Sequence, residues 1–146
     1  AGFLFSLLVN GLMDNLSVGT WRGNTESIAE SDYDGSKVKA KPLEKRVIKV
    51  FVRNRSTASW DSREEEYPVF ISYHLLSAKG DMVEHDNIRT PFPRMMKPDD
   101  SAFFDLSVHS ASKKGEYYLE VDVVKEKVAW FKNKGSKTIL IPLSVN

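Results

Sequence analysis

The stretch "YYLEVDVVKEKVAWF" runs from Tyr117 to Phe131, and its reading decides the fold. Tyr117, Leu119, Val121 and Val123 fall on one parity, while Tyr118, Glu120 and Asp122 fall on the other. A period of two is the signature of a β-strand with one face in a core. The apolar parity then points inward, and the acidic parity forms the outward strip.

The same period recurs on either side of this stretch. In "VIKVFVR", Ile48, Val50 and Val52 point one way, with Lys49 and Arg53 opposite. In "VFISYHLL", Val69, Ile71, Tyr73 and Leu75 share a face and leave Phe70, Ser72 and His74 on the other. "FFDLSVH" sends Phe104, Leu106 and Val108 inward, with Asp105, Ser107 and His109 outward. "SIAE", Met82 to Glu84, "VAWF" and "TILIPL" read as further short strands, and "SDYDGSK", "KPLEK", "SAKGD" and "SASKKGE" as turns. The three prolines of "RTPFPRMMKPDD" make it an ordered loop, long enough to cross between two sheets. Six or seven short strands at spacings of about ten residues predict an all-β, antiparallel β-sandwich of immunoglobulin-like or jelly-roll type.

The N-terminal part is less regular. Phe3 to Leu16 reads equally as one helix or two strands, "SVGTW" as a short strand, and Gly19 to Lys45 as largely polar. Residues 1–45 are accordingly an N-terminal segment with the first strands, a linker or an exchanged element, and residues 46–146 the sandwich proper, in a single domain overall. The chain begins at Ala1 without a Met and reads as a piece of something longer. Its apolar start is too short for a membrane span and has no basic leader.

Several function classes lose support from composition. Basic and acidic residues number 21 and 20, so the chain lacks the basic footprint of a nucleic-acid binder. There is no cysteine, hence no disulfide framework and no thiolate metal site. His74, His85 and His109 lack the spacing of zinc ligands, and no cofactor motif appears. Glu120 and Asp122 sit about 6–7 Å apart on a strand, a glycosidase-like separation. A catalytic pair normally faces itself across a cleft, however, and no nucleophile elbow or phosphate loop is found. The expectation is a chain that is not an enzyme.

The motifs "NRS…W", "PVFISYHLLSAKGDMVEHDNIRTPFP" and "KGEYYLEVDVVKEKVAWFKNKGS" together resemble a β-sandwich module of bacterial surface-polysaccharide machinery. The chain is similar, over about Val47 to Ser136, to the C-terminal carbohydrate-binding domain of the ATPase subunit of O-antigen polysaccharide ABC transporters (the Wzt type). The resemblance implies recognition of a glycan, often at its capped non-reducing end, on the cytoplasmic face of the bacterial inner membrane. The implied partners are the polysaccharide, the transporter ATPase and membrane subunits, and a second copy in a homodimer. Similar modules are appended to glycosyltransferases and methyltransferases, where a structural or dimerising role is the alternative.

In such a sandwich the "VFISYHLL" and "YYLEVDVV" strands lie side by side. Their outward residues Ser72, His74, Tyr118, Glu120 and Asp122 then make one surface suited to sugar hydroxyls and C–H faces. The same residues also suit a plain solvated sheet face with cross-strand pairing. Arg89 either binds an acidic group through its planar fork or pins its own loop, with pinning favoured. Trp60, in a polar loop, is a candidate stacking platform, whereas Trp130 is read as core. The expected binding set is thus Ser72, His74, Tyr118, Glu120, Asp122, Arg89 and Trp60.

Overall fold

A computed structural model describes residues 24–146. The expectations for Phe3 to Leu16 and for "SVGTW" lie outside the described residues. The strands are β1 (Ala29–Asp32), β2 (Val38–Ala40), β3 (Lys45–Asn54), β4 (Val69–Ser77), β5 (Met82–Glu84), β6 (Thr90–Pro91), β7 (Ser101–His109), β8 (Gly115–Lys125), β9 (Ala129–Trp130) and β10 (Ile139–Val145). One 3₁₀ turn, Phe131–Lys134, ends at Gly135, whose φ of 90° lies in the left-handed region that suits glycine. No helix among the described residues is long and apolar enough to cross a membrane.

The fold is all-β, as expected, in two sheets. A three-stranded sheet has the order β1-β3-β7, and a seven-stranded sheet runs β2-β10-β8-β4-β5 with β6 on β4 and β9 on β8. Pairing is antiparallel except between β10 and β2, which run parallel. β1 and β2 thus join the two different sheets. The loop after β6 leads from the larger sheet to β7 in the smaller one, the crossing that its length suggested.

Alternation dictates the core. Ile48, Val50 and Val52 of β3 and Phe104, Leu106 and Val108 of β7 meet Ile71, Tyr73, Leu75, Leu119, Val121 and Val123 of the larger sheet in one buried cluster. Burial pushes the Tyr73 phenol up to about 12. Its hydroxyl accepts the His109 backbone N–H at 3.1 Å, tying β4 to the edge strand β7.

Trp60 belongs to this core, which corrects the expectation of a stacking platform. Its backbone bridges Met96 through two hydrogen bonds of 2.9 and 2.8 Å, closing two loops over the end of the sandwich. The ring is 1% exposed and packs on Phe92 and Phe131 at centroid distances of 5.5 and 5.4 Å. A polar loop can carry a core residue because the ring, not the backbone, enters the interior. Trp60→Ala is expected to lower the unfolding free energy by about 3–5 kcal/mol in urea denaturation. A loss below about 1 kcal/mol is the ordinary result for a surface ring and would contradict this placement.

Candidate functional site

The larger sheet was expected to present the site, and its β4 and β8 strands do lie side by side. His74 pairs with Glu120, Ser72 with Asp122, and Leu76 with Tyr118. The surface is not open, however. Ser72, His74, Glu120 and Asp122 are all buried, because the segment from His85 to Arg89 and the turn after β9 lie across them.

These side chains anchor that covering layer. The Ser72 hydroxyl donates to the Ile88 carbonyl at 2.8 Å, and Asn87 donates to the Tyr73 carbonyl at 3.2 Å. His74 places Nδ1 2.6 Å from the His85 carbonyl and Nε2 2.8 Å from Asp122 Oδ2. Both neighbours present oxygen atoms, and the imidazole bridges them across the sheet. Asp122 Oδ1 accepts the backbone N–H groups of Val123 and Lys132. Loop carbonyls and turn amides at this partly buried layer are thereby satisfied by strand side chains.

Around this node the remaining polar groups are also paired. Glu120 accepts from Lys132 Nζ at 2.7 Å and from the Thr138 hydroxyl at 2.6 Å. Burial pushes the Glu120 carboxyl up, but these hydrogen bonds, with the Lys132 charge, outweigh it and hold the group below its ordinary value. Arg89 is pinned as favoured. It grips Glu126 with two donors at 2.6 and 3.3 Å and Asp86 with a third at 2.6 Å, which together raise its pKa further. Its guanidinium lies 4.9 Å from the Trp130 ring. Trp130 also packs on His74 and His85 at 4.5 and 5.2 Å. It is half-buried on the outer side of the sheet, which corrects its reading as core. Tyr118, also half-buried, sits beside Leu76 and Pro142, one row away from His74.

The expected receptor surface is therefore corrected. Ser72, His74 and Asp122 do come together, with Glu120 beside them, but as a buried fastening.

The open face belongs to the three-stranded sheet. Phe51 of β3 and Phe103 of β7 are direct cross-strand partners with ring centroids 5.4 Å apart, edge to face. Phe103 is 68% exposed. With Tyr33, Asp32, Asp34 and Lys49 they line a cleft of about 400 Å³. Arg53 extends the strip, its guanidinium 5.9 Å from the Phe51 ring.

The loop after β1 presents its side chains in a fixed arrangement. The Tyr33 hydroxyl donates to the Ser36 carbonyl at 2.9 Å, and Gly35 adopts a φ of 88°. Asp34 Oδ1 accepts both the Ser36 hydroxyl and its backbone N–H, which hold its carboxyl below the ordinary range. The arrangement offers ring faces for apolar C–H groups and carboxylate oxygens for hydroxyl donors. Among the described residues, no group of three or more His, Cys, Asp or Glu side chains is placed to hold a metal.

Sequence reasoning missed Phe51 and Phe103. The available signal was parity, because each ring falls among the polar residues of its strand, Phe51 between Lys49 and Arg53 and Phe103 two before Asp105. Their pairing spans fifty-odd positions and is not written in either segment.

No protein-family model matches this sequence, and no curated protein matches it. Among solved structures the chain is similar to a family 123 glycoside hydrolase from Clostridium perfringens, analysed for glycolipid glycan hydrolysis. The likeness covers 81% of this chain and 27% of the hydrolase chain, at 11% identity and a TM-score of 0.38. No residue correspondence follows from a likeness of that degree. The expectation that the chain is not an enzyme finds no support in this likeness, whose neighbour is a hydrolase.

Two outcomes test the buried network. His74→Ala or Asp122→Ala strands its buried partner and is expected to lower stability by about 1–3 kcal/mol in chemical denaturation; a change within about 0.5 kcal/mol would place the pair at the surface. A carboxyl held below its unfolded value contributes stability that is complete above that value and fades as pH falls through the folded one. Glu120→Gln should therefore flatten the acid side of a stability-versus-pH curve, and an unchanged acid limb would contradict the pairing.

Proposed function

We propose that this chain is a glycan-recognition domain whose binding face is the outer surface of the three-stranded sheet. The observation that carries this reading is the cleft formed by Tyr33, Phe51 and Phe103 with Asp32, Asp34 and Lys49 along it. A saccharide has apolar C–H faces that stack on aromatic rings and hydroxyls that donate to carboxylates, so such a cleft matches both parts of it. Cross-strand packing contributes about 0.2–1 kcal/mol and accounts for a half-buried Phe51. It gives no reason to leave Phe103 68% exposed beside a cleft.

The finer reading concerns which glycan and for what purpose. The resemblance over Val47 to Ser136 supports a bacterial O-antigen or similar surface polysaccharide, bound for ABC-transporter export at the inner face of the inner membrane. On that reading the chain works beside the ATPase and membrane subunits, as a homodimer. Phe51 and Phe103 lie inside the resembling span, whereas Asp32, Tyr33 and Asp34 precede it.

A second reading is favoured by a specific feature of the same face. Val47 and Phe103 are 64% and 68% exposed on adjacent strands, as an interface between copies would require. In that case the chain is a dimerising module appended to a glycosyltransferase or methyltransferase.

The readings separate on one variant. By calorimetric titration with bacterial surface polysaccharides, Phe103→Ala is expected to weaken binding about tenfold, the loss of roughly one aromatic contact. Its unfolding midpoint should barely move, because the ring is exposed. Unchanged polysaccharide affinity would contradict glycan recognition at this face, and a dimer-to-monomer shift by sedimentation would favour the second reading.

A further inference from the structure

The cleft has a charge character that narrows its ligand, and the following step rests on the glycan reading above. Among the described residues that line it, two are carboxylates, Asp32 and Asp34, against one cation, Lys49. Asp105 stands directly across from Lys49 in the β3–β7 register, so the cation already faces a carboxylate on the neighbouring strand. The next cation along the strip, Arg53, has Glu30 4.0 Å from its Nε and its guanidinium near the Phe51 ring. Lys49 and Arg53 thus each have a carboxylate across from or beside them on this face.

The carboxylates are poised as acceptors. Asp32 Oδ1 takes the Tyr33 backbone N–H at 2.8 Å, and Asp34 Oδ1 takes both Ser36 donors. Among the described residues, neither Oδ2 accepts a hydrogen bond. The loop is held by the bonds of Tyr33 and Asp34 to Ser36, so these oxygens are positioned before a ligand arrives. An ionised carboxylate accepts only. A hydroxyl of a neutral sugar satisfies it, while a uronate or phosphate brings like charge against it.

We infer that the cleft selects a glycan segment of uncharged sugars and discriminates against one bearing acidic groups, Asp32 and Asp34 being the residues that set this choice. Arg89, the candidate named above for an acidic group, is instead engaged by Glu126, Asp86 and the Asn87 carbonyl.

The test is a printed array, followed by titration in solution, of neutral hexose, 6-deoxyhexose and N-acetylhexosamine oligosaccharides, each matched by its uronate counterpart. The chain is expected to bind a neutral member about tenfold more tightly than its uronate at low ionic strength, with the gap shrinking as salt screens the repulsion. Asp32→Asn combined with Asp34→Asn should narrow that gap to about twofold or less. Asp32→Asn alone, which leaves the Asp34–Ser36 bonds intact, should narrow it in part and guards against loss of the loop. Uronates bound as tightly as neutral sugars, or a gap unaffected by the variants, would overturn this inference and leave glycan recognition standing. Binding of neither class would overturn both.

Discussion

His74 and Asp122 meet at 2.8 Å in space that solvent barely reaches, each side chain 1% exposed. Their contact joins β4 to β8, and through the His85 carbonyl and the Lys132 amide it also holds the two segments that cross the sheet. A buried polar pair is sustained only where its remaining donors and acceptors are met. Here they are met by the covering layer itself. The seven-stranded sheet is consequently sealed on its outer side around this node, and the outer side of the three-stranded sheet carries the open aromatic cleft.

That asymmetry explains the distribution of aromatic rings. Trp60, Phe92 and Phe131 pack together at one end of the core. Trp130 lies over the imidazoles of His74 and His85 and under the Arg89 guanidinium, completing the cover. Phe103, by contrast, has Phe51 alone as an aromatic neighbour among the described residues and stands largely in solvent. Tyr33 reaches the same cleft from a loop fastened to Ser36 rather than from a strand. On the proposed reading, rings beside oriented carboxylates would receive a glycan with little rearrangement of the loop held at Ser36.

Much of the architecture was legible in the sequence. Alternation placed Ile71, Tyr73, Leu119 and Val121 in the core and turned His74 and Glu120 to the opposite face of their strands, because strand geometry makes side-chain direction a local property. Whether an outward face meets water is not local. Ser72, His74 and Asp122 are covered by residues 85–89 and 130–132, and nothing within either strand announces a lid. Trp60 misled for a related reason, since the polarity of its neighbours describes the loop backbone and not the ring. Phe51 and Phe103 were the converse case. Their polar parity was visible, but their contact depends on a pairing between distant strands that parity alone cannot supply.

The account stands on the claim that glycan meets the β3–β7 face and not the polar node of the other sheet. The most direct measurement is a titration of isotopically labelled chain with surface polysaccharide, followed through its aromatic side-chain resonances. The account expects the shifts to gather at Tyr33, Phe51 and Phe103 while Trp130 and His74 stay still. Shifts centred on Trp130, His74 and His85, with Phe51 and Phe103 unmoved, would contradict it.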